Sequence, residues 1–313
     1  MNKRHVGIAL IVALVLGGAG YVTWRALPST EAQAAPLDLT RPGTLIAVST
    51  TDQRVRQTAP SGTAGTGPAC QRSYAAAGTL ICLRSALPMG FQAAIFDREM
   101  VLRKTIDLWG TPSRARVSPS GRLVAWTVFH SGDSYLRDGE FSTIAGVYDL
   151  STGEHYGSLE DFSATINGVI VRMDEHVNYW GITFAADDRT FYATMALAGR
   201  TWLVRGDLVA RTLVAIGTDV ECPSLSPDGT RIAYKKRVAG GWRLHVAPLA
   251  GFSVTGSAPS VALAEVLSVD DQPAWADETT VAYGVNGAIY AVPADGSGAP
   301  TLLRSASSSP SFP

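Results

Sequence analysis

The stretch Cys222-Pro-Ser-Leu-Ser-Pro-Asp-Gly-Thr-Arg-Ile-Ala-Tyr234 predicts two β-strands joined by a tight turn. Pro227 fixes φ at the start of the turn, Asp228 has a side chain that hydrogen-bonds nearby backbone, and Gly229 accepts a positive φ. Apolar residues on both sides of the turn provide the two strands. This hairpin is therefore the unit to look for in the rest of the chain.

The same hairpin recurs along the chain. A second clear copy is Arg114-Ala-Arg-Val-Ser-Pro-Ser-Gly-Arg-Leu-Val-Ala-Trp126, and weaker copies cover residues 73–83, 181–193 and 272–283. A second motif, an apolar strand with a polar turn and another strand, follows each of these hairpins and also occurs once before them, after Gly43. Two hairpins make four strands, and four-stranded repeats of about 40–45 residues are propeller blades.

The two ends of the chain are predicted to form the sixth blade together. The second motif occurs once more than the first, so one blade lacks its first hairpin. The tail Ser309-Pro-Ser-Phe-Pro313 resembles the first strand of that hairpin, and placing it beside the amino-terminal strands gives a sixth blade shared by both ends. One strand of this blade is then missing, and we assign residues 36–40 to it. Residues 60–68, rich in Gly, Ser and Thr, are typical of an inter-blade loop.

The sequence thus predicts an all-β fold in which residues 35–313 form a six-bladed β-propeller after an amino-terminal segment, residues 1–34. The uncharged stretch 6–24 follows basic residues and is a membrane-targeting element. Its length agrees with either a signal peptide or a transmembrane anchor helix. Cleavage near Ala34 and retention as an anchor both stay open at this point. In either case we expect the propeller to lie outside the cytoplasm.

The charge of the chain restricts its partners. With 26 basic and 27 acidic residues the net charge is −1, which argues against nucleic acid as the main partner. Residues 35–313 retain 23 basic and 26 acidic residues, so electrostatic attraction does not draw this part to an anionic membrane surface. Contact with a membrane is therefore expected only through the amino-terminal segment.

The cysteines agree with an extracytoplasmic compartment. Three cysteines allow one disulfide where the surroundings are oxidising. Cys70 and Cys82 flank a short predicted turn, and closing so short a loop has a low entropic cost. We therefore predict that they form a disulfide and that Cys222 is a buried, small apolar residue.

The repeat resembles that of a known family. Ser226-Pro-Asp-Gly-Thr-Arg-Ile-Ala-Tyr234, Ser118-Pro-Ser-Gly-Arg-Leu-Val-Ala-Trp126 and the degenerate stretch 185–192 are similar to the repeats of the TolB-like six-bladed β-propellers. As a pattern the resemblance extends over residues 42–313. It implies a propeller with an extracytoplasmic protein-interaction role. TolB itself has an additional amino-terminal α/β domain, which the residues before Gly43 do not provide, so a function in the Tol system does not follow from the resemblance.

No motif in the sequence predicts chemistry. There is no Gly-x-Ser-x-Gly nucleophile elbow, no His-x-x-x-His or Cys-x-x-Cys pair, and no phosphate- or dinucleotide-binding fingerprint. We therefore expect no catalytic residue, cofactor or metal, and predict a non-catalytic binding or scaffold propeller that recognises a protein or cell-envelope component. The alternative is a hydrolase- or lactonase-type propeller enzyme with a cation in its central channel. Its carboxylates would come from Asp187, Asp219, Glu221, Asp270 and Asp271.

A candidate partner site lies in the longest blade. The interval of 67 residues between Gly121 and Asp188 exceeds the repeat of about 40–45 residues because of two insertions, 130–140 and 160–180. In an up-down-up-down blade both connections emerge on the face opposite the Pro-Asp-Gly turns. Aromatic residues among mixed charges on loops are typical of interaction sites. The predicted partner-binding residues are Asp133, Tyr135, Arg137, Asp138, Asp174, Glu175, Tyr179 and Trp180.

Aromatic residues on strands have a different expected role. In the alternative view of the insertions they are surface elaborations, with Tyr179 and Trp180 buried between blades. The tryptophans of the repeat strands are expected to fill the blade cores; they are Trp126, Trp202, Trp242 and Trp275.

Overall fold

The first strands of the propeller pair with its last strand. The computed structural model describes residues 35–60, 62–86, 88–130, 142–171 and 177–313. One sheet has the order β26-β1-β2-β3 and consists of β1 (Leu45–Ser49), β2 (Arg54–Ala59), β3 (Gly62–Ala69) and β26 (Ser307–Ser311). Strand β26 runs antiparallel to β1, with Ser308 opposite Val48. The prediction that one blade is shared by the two ends of the chain is confirmed, and we name this sheet the closing blade.

Five further blades complete the ring, and each begins with its innermost strand. Blade 1 contains β4 (Arg72–Ala76), β5 (Thr79–Ser85), β6 (Phe91–Phe96) and β7 (Leu102–Leu108). Blade 2 contains β8 (Thr111–Val117), β9 (Leu123–His130), β10 (Ser142–Asp149) and β11 (His155–Tyr156). Blade 3 begins with β14 (Asn178–Phe184), β15 (Thr190–Leu197), β16 (Arg200–Asp207) and β17 (Thr212–Thr218). Blade 4 contains β18 (Glu221–Leu225), β19 (Arg231–Val238), β20 (Gly241–Pro248) and β21 (Val261–Ala262). Blade 5 contains β22 (Ala274–Trp275), β23 (Thr280–Val285), β24 (Ala288–Pro293) and β25 (Thr301–Arg304).

This arrangement is the six-bladed all-β propeller that the sequence predicts. The first strands of successive blades contact one another, including β26 with β4, and they surround a central channel. Between blades, apolar side chains pack face to face. For example, Leu123 and Val147 of blade 2 share one buried cluster with Phe191 and Met195 of blade 3. Burial on both faces of the sheets is what fixes the blades against one another.

The turns of the first hairpins have the conformations that their residues predict. Gly121 and Gly229 have φ of 79° and 71°, and Asp188 takes the same left-handed conformation with φ of 50°. The Ser226 hydroxyl donates to the Asp228 carboxylate and accepts from the Arg231 N–H at 3.0 Å. The Ser-Pro-Asp-Gly residues are therefore explained by turn structure.

The closing blade differs from the sequence prediction in one strand. Residues 60–68 are not a loop, because Gly62–Ala69 is β3, the outer strand of this blade, whereas residues 36–40 form no strand. A Cβ at Gly65 would lie 2.7 Å from the Pro36 carbonyl oxygen, and one at Gly67 would lie 2.6 Å from Leu37 Cδ1. The glycines that suggested a loop are thus required because residues 36–37 pass closely over the strand.

The second insertion does not run where the sequence predicts. Within residues 160–180, strands β12 (Ser163–Ile166) and β13 (Val169–Ile170) extend blade 3 outward to six strands in the order β13-β12-β17-β16-β15-β14. Strand β12 is parallel to β17, with Thr165 opposite Val214. The prediction that the whole second insertion converges with residues 130–140 is therefore wrong for residues 163–170. Within them β12 pairs instead with β17, whose outer edge would otherwise have unpaired backbone groups.

A disulfide joins the closing blade to blade 1. Cys70 follows β3 and Cys82 lies in β5, with their Cα atoms 5.3 Å apart. These two cysteines, 12 residues apart in the sequence, are the pair that the sequence predicts. Cys222 is a buried free thiol, as expected.

The amino-terminal segment 1–34, with its predicted signal peptide or anchor, lies outside the described residues. Helix in the described ranges is limited to two short 3-10 turns, Leu159–Asp161 and Leu249–Gly251. In that part of the chain we find no helix with the length and apolar character needed to cross a membrane.

Removal of the closing strand tests how the ring is held. Deletion of residues 307–313 is expected to lower the free energy of unfolding by more than about 4 kcal/mol, because it exposes the backbone edge of β1 and the inner face of blade 1. Chemical denaturation of the full chain and of the truncated chain measures this difference. Deletion of Pro313 alone is the control and should have little effect, and equal stability of both truncations would contradict the closure.

The disulfide gives a second test. The double variant Cys70→Ser/Cys82→Ser is expected to lose about 2–4 kcal/mol of unfolding free energy, because the unfolded chain regains the entropy of a closed loop. Denaturation with and without reductant provides the measurement. Reductant should destabilise the natural chain and the Cys222→Ala control but leave the double variant unchanged. A natural chain that is insensitive to reductant would refute the bond.

Candidate ligand site at the channel mouth

A cavity of about 1020 Å³ opens at one end of the central channel. Its walls come from the starts of first strands, the ends of second strands and the starts of third strands in blades 2, 3 and 4. This end of the ring also carries the connections between blades, and we name it the mouth face. The cavity is lined by Thr111, Ser113, Arg114, Thr127, Phe129, Thr143, Trp180, Ala196, Gly199, Arg200, Thr201, Glu221, Lys235, Arg237, Trp242 and Asp270.

The antiparallel register explains why these residues meet. Glu221 at the start of β18 is opposite Lys235 near the end of β19, and Thr111 of β8 is opposite Phe129 of β9. Trp180 of β14 is opposite Thr194 of β15 in the same way. In blades 2, 3 and 4 the start of the first strand therefore lies beside the end of the second strand, at the end of the channel where the cavity opens.

The lining has more positive than negative charge. Four basic side chains, Arg114, Arg200, Lys235 and Arg237, face two carboxylates, Glu221 and Asp270. An anionic ligand is the electrostatic complement of such a wall.

Lys235 is the most buried of these charges, with 2% of its side chain exposed. Its ammonium group donates to the Asp270 carboxylate at 3.0 Å and to the Asp270 carbonyl oxygen at 2.9 Å. Burial opposes ionisation of Asp270, but the charges of Lys235 and Arg114 outweigh it and hold the pKa of this carboxyl below its usual value. The Asp270 carboxylate thus already has a cationic partner.

Trp242 provides an aromatic surface between the basic groups. The Lys235 Nζ lies 4.5 Å and the Arg237 Cζ 4.9 Å from the centre of its ring. Arg237 also approaches Glu221, with Nε 3.6 Å from Oε1. The repeat pattern predicts that Trp242 lies in a blade core, as is found for Trp126, Trp202 and Trp275. That expectation is wrong for Trp242, because it starts β20 and so lies at the level of the cavity.

The predicted partner-binding residues separate into three groups. Trp180 lines the cavity and is 8% exposed. Tyr179, its neighbour on the other side of β14, is 1% exposed and packs in the core between blades 2 and 3. Its side chain is thus unavailable to a partner, and burial together with the charge of Glu160 raises the pKa of its hydroxyl. The others lie outside the described residues: Asp133, Tyr135, Arg137, Asp138, Asp174 and Glu175.

The carboxylates considered for a cation are separated by the fold. Glu221 and Asp270 line the cavity, and Asp271 lies deeper in the channel. Asp187 belongs to a turn on the opposite face, where its carboxylate accepts from the Thr190 N–H at 2.7 Å. Asp219 precedes β18 and does not line the cavity. Over the described ranges, no group of three His, Cys, Asp or Glu side chains is close enough to hold a metal ion.

Sequence analysis did not identify the basic residues of the site. Arg114 begins one of the two clearest hairpin copies and Lys235 directly follows the other, and their positions are explained by strand structure alone. A signal was present in the run Lys235-Lys-Arg237, which places three basic residues at the end of a second strand. Such an excess of charge on a strand with an otherwise buried pattern is unusual for a blade core.

Comparison with known proteins gives the fold. We found no protein-family model and no curated protein sequence that matches the chain. TolB from Acinetobacter baumannii aligns with a TM-score of 0.56 and 15% identity, over 89% of this chain and 68% of that one. A puromycin-hydrolyzing peptidase from Mycobacterium tuberculosis aligns with a TM-score of 0.52 and 16% identity, over 88% of this chain but only 45% of the peptidase. A chain from a nidogen/laminin complex aligns with a TM-score of 0.51 and 9% identity, over 86% of this chain and 93% of that chain.

The peptidase is therefore more than twice as long as the region that this chain matches. At these identities the likeness concerns the fold. The chain has a TolB-like six-bladed β-propeller fold.

Proposed function

We propose that this chain is an extracytoplasmic, non-catalytic binding propeller whose mouth face recognises a protein or cell-envelope component. The observation that carries the proposal is the cavity of about 1020 Å³ with its basic and aromatic lining. Ligand sites are concave, contain aromatic surface and have a few well-placed polar groups. Trp180, which the sequence analysis selected, is part of this wall.

Exposed apolar residues on the mouth face support a protein partner. Met89 and Trp109 are 90% and 77% exposed, and Val266 is 71% exposed. They lie in the β5–β6, β7–β8 and β21–β22 connections, which all belong to the mouth face. Exposed apolar side chains that surround a polar site are typical of protein-interaction surfaces.

The insertion residues remain part of the proposal. Phe129 and Thr143, on either side of residues 131–141, both line the cavity. The chain therefore enters and leaves this insertion beside the proposed site. We propose that Asp133, Tyr135, Arg137 and Asp138 extend the partner surface from there, with Asp174 and Glu175 on the connection that precedes Trp180.

The charges of the channel favour binding of an anionic group over cation-dependent catalysis. A catalytic cation would need free carboxylates, but Asp270 is paired with Lys235 and lies 3.5 Å from Arg114. The buried guanidinium and ammonium groups would also repel a cation. The peptidase-like fold match extends over less than half of that enzyme, so it adds no support for activity in this chain.

The disulfide supports a location outside the cytoplasm. Cys70 and Cys82 are bonded, and such bonds persist mainly in oxidising surroundings outside the cytoplasm. We propose that the amino-terminal segment delivers the propeller there, either as an anchor or as a cleaved signal.

Position-specific cross-linking tests the mouth face. A photo-reactive amino acid in place of Trp109 in the full chain is expected to capture a defined partner in cells, because this position lies beside the cavity. The same amino acid in place of Val209, which is 72% exposed in the turn between β16 and β17 on the opposite face, is the control. Equal capture from both positions would contradict the proposal.

Charge substitution then tests the cavity with the partner identified in this way. The variant Arg200→Glu/Arg237→Gln is expected to weaken binding at least about tenfold, since it removes positive charge that steers and holds an anionic group. Both arginines are exposed, so the melting temperature should stay within about 2 °C. Arg98→Glu, in an exposed turn of the opposite face, is the matched control. An affinity that is unchanged by the double variant would exclude the cavity as the site.

A further inference from the structure

Below the mouth cavity the channel contains a second, much smaller cavity of about 20 Å³. This volume holds one water-sized or halide-sized species. Ser113 and Arg114 line both cavities, so the small one lies directly behind the large one. Its walls are the inner strands of blades 1 and 2, the segment before β22, and the closing strand; they contribute Arg72, Ser73, Tyr74, Ser113, Arg114, Ala115, Arg116, Asp271, Gln272, Ser309 and Pro310.

Four polar atoms of these walls are buried without a hydrogen-bond partner among the described residues. They are Nε of Arg114, Nε of Arg116, and the hydroxyl oxygens of Ser73 and Ser309. The four residues are 9%, 4%, 2% and 8% exposed, respectively. A buried donor with no acceptor costs about 1–3 kcal/mol, so four of them around one cavity indicate a species that accepts hydrogen bonds from several sides.

The charge around the cavity is strongly positive. Three guanidinium groups, of Arg72, Arg114 and Arg116, line it together with one carboxylate, Asp271. The oxygens of this carboxylate are engaged by backbone, since Oδ1 accepts from the Gln272 N–H at 3.0 Å and Oδ2 accepts from the Ser309 N–H at 3.2 Å. The cavity thus has an excess of positive charge and a surplus of donors.

Arg116 is a buried guanidinium of this cavity whose charge is not balanced by a carboxylate of the described residues. Its Nη2 donates to the Pro273 carbonyl oxygen at 3.0 Å, and its Cζ lies 4.4 Å from the centre of the Tyr74 ring. No carboxylate of the described residues forms an ion pair with it. Removing a guanidinium from water without a counter-charge is strongly unfavourable. A neutral water would satisfy the hydrogen bonds but would not supply the missing charge.

We infer that a single small monovalent anion, chloride or another halide, binds in this cavity as the counter-ion of Arg116, with Nε of Arg114 as a further donor. The Nε groups of the two arginines and the hydroxyls of Ser73 and Ser309 donate to it. The small volume favours a monatomic anion over sulfate or phosphate, and the three guanidinium groups disfavour a metal cation. This anion site is separate from the partner cavity, and the inference does not rest on the proposed function.

The anion accepts hydrogen bonds from residues that are far apart in the sequence and belong to different blades. Ser73 belongs to blade 1, Arg114 and Arg116 belong to blade 2, and Ser309 belongs to the closing strand. Binding to the folded ring but not to the unfolded chain stabilises the ring by mass action. The stability of the propeller therefore depends on the concentration of small anions, beyond any general effect of salt.

Thermal unfolding of the full chain tests this dependence. The melting temperature in sodium chloride is expected to exceed that in sodium gluconate of equal ionic strength by about 2 °C or more, because gluconate is too large for the cavity. The difference should disappear in Arg116→Gln, which lacks the unpaired charge. Arg189→Gln, which alters an exposed arginine of the opposite face, should keep it. Identical melting of the natural chain in the two salts would overturn the inference.

Crystals grown or soaked in bromide provide a test that needs no variant. An anomalous peak within hydrogen-bonding distance of the Nε atoms of Arg114 and Arg116 is the expected result. A cavity without anomalous signal at high bromide, or one with a water at that point, would refute the site even if the variant fails to fold. A bromide peak that persists in Arg116→Gln would refute the role of Arg116 as its counter-charge.

Discussion

The antiparallel pairing of the closing strand Ser307–Ser311 with Leu45–Ser49 is the contact on which the rest of the molecule depends. The Ser311 hydroxyl accepts from the Ala75 N–H of blade 1 at 3.1 Å and donates to the Ile46 carbonyl oxygen at 3.3 Å. The last strand therefore joins the first blade as well as its own sheet. Because this closure brings all six inner strands around one axis, the channel and both of its cavities exist only in the closed ring.

The channel concentrates charge that the whole chain does not show. The propeller carries a small excess of acidic residues, yet the inner strands of blades 1 and 2 and the end of β19 place Arg72, Arg114, Arg116 and Lys235 around the axis. Burial of Arg114, Arg116 and Lys235 strengthens the field of their charges. The same charges complement the anionic group proposed at the mouth and the small anion proposed behind it.

Much of the fold could be predicted from local signals. The turns at Gly121 and Gly229 require positive φ, and the apolar residues around them define the first hairpins of blades 2 and 4. Strand Gly62–Ala69 was missed because small residues are needed for the close passage of residues 36–37, a contact that no local pattern reveals. Tyr179 and Trp180 are adjacent on one strand, and their difference in role follows from which side of β14 faces the channel.

By itself the sequence determined the turn conformations, because each turn is encoded within a few neighbouring residues. It also determined the number of blades and the shared closing blade, because the hairpins can be counted along the chain. Only the tertiary structure decided which charges meet. Arg114 belongs to blade 2, Lys235 to blade 4 and Asp270 to the connection between blades 4 and 5, and their contact depends on the curvature and register of the whole ring. Strand patterns record whether a side chain faces the core or solvent, but they do not record which side chain of another blade it will face.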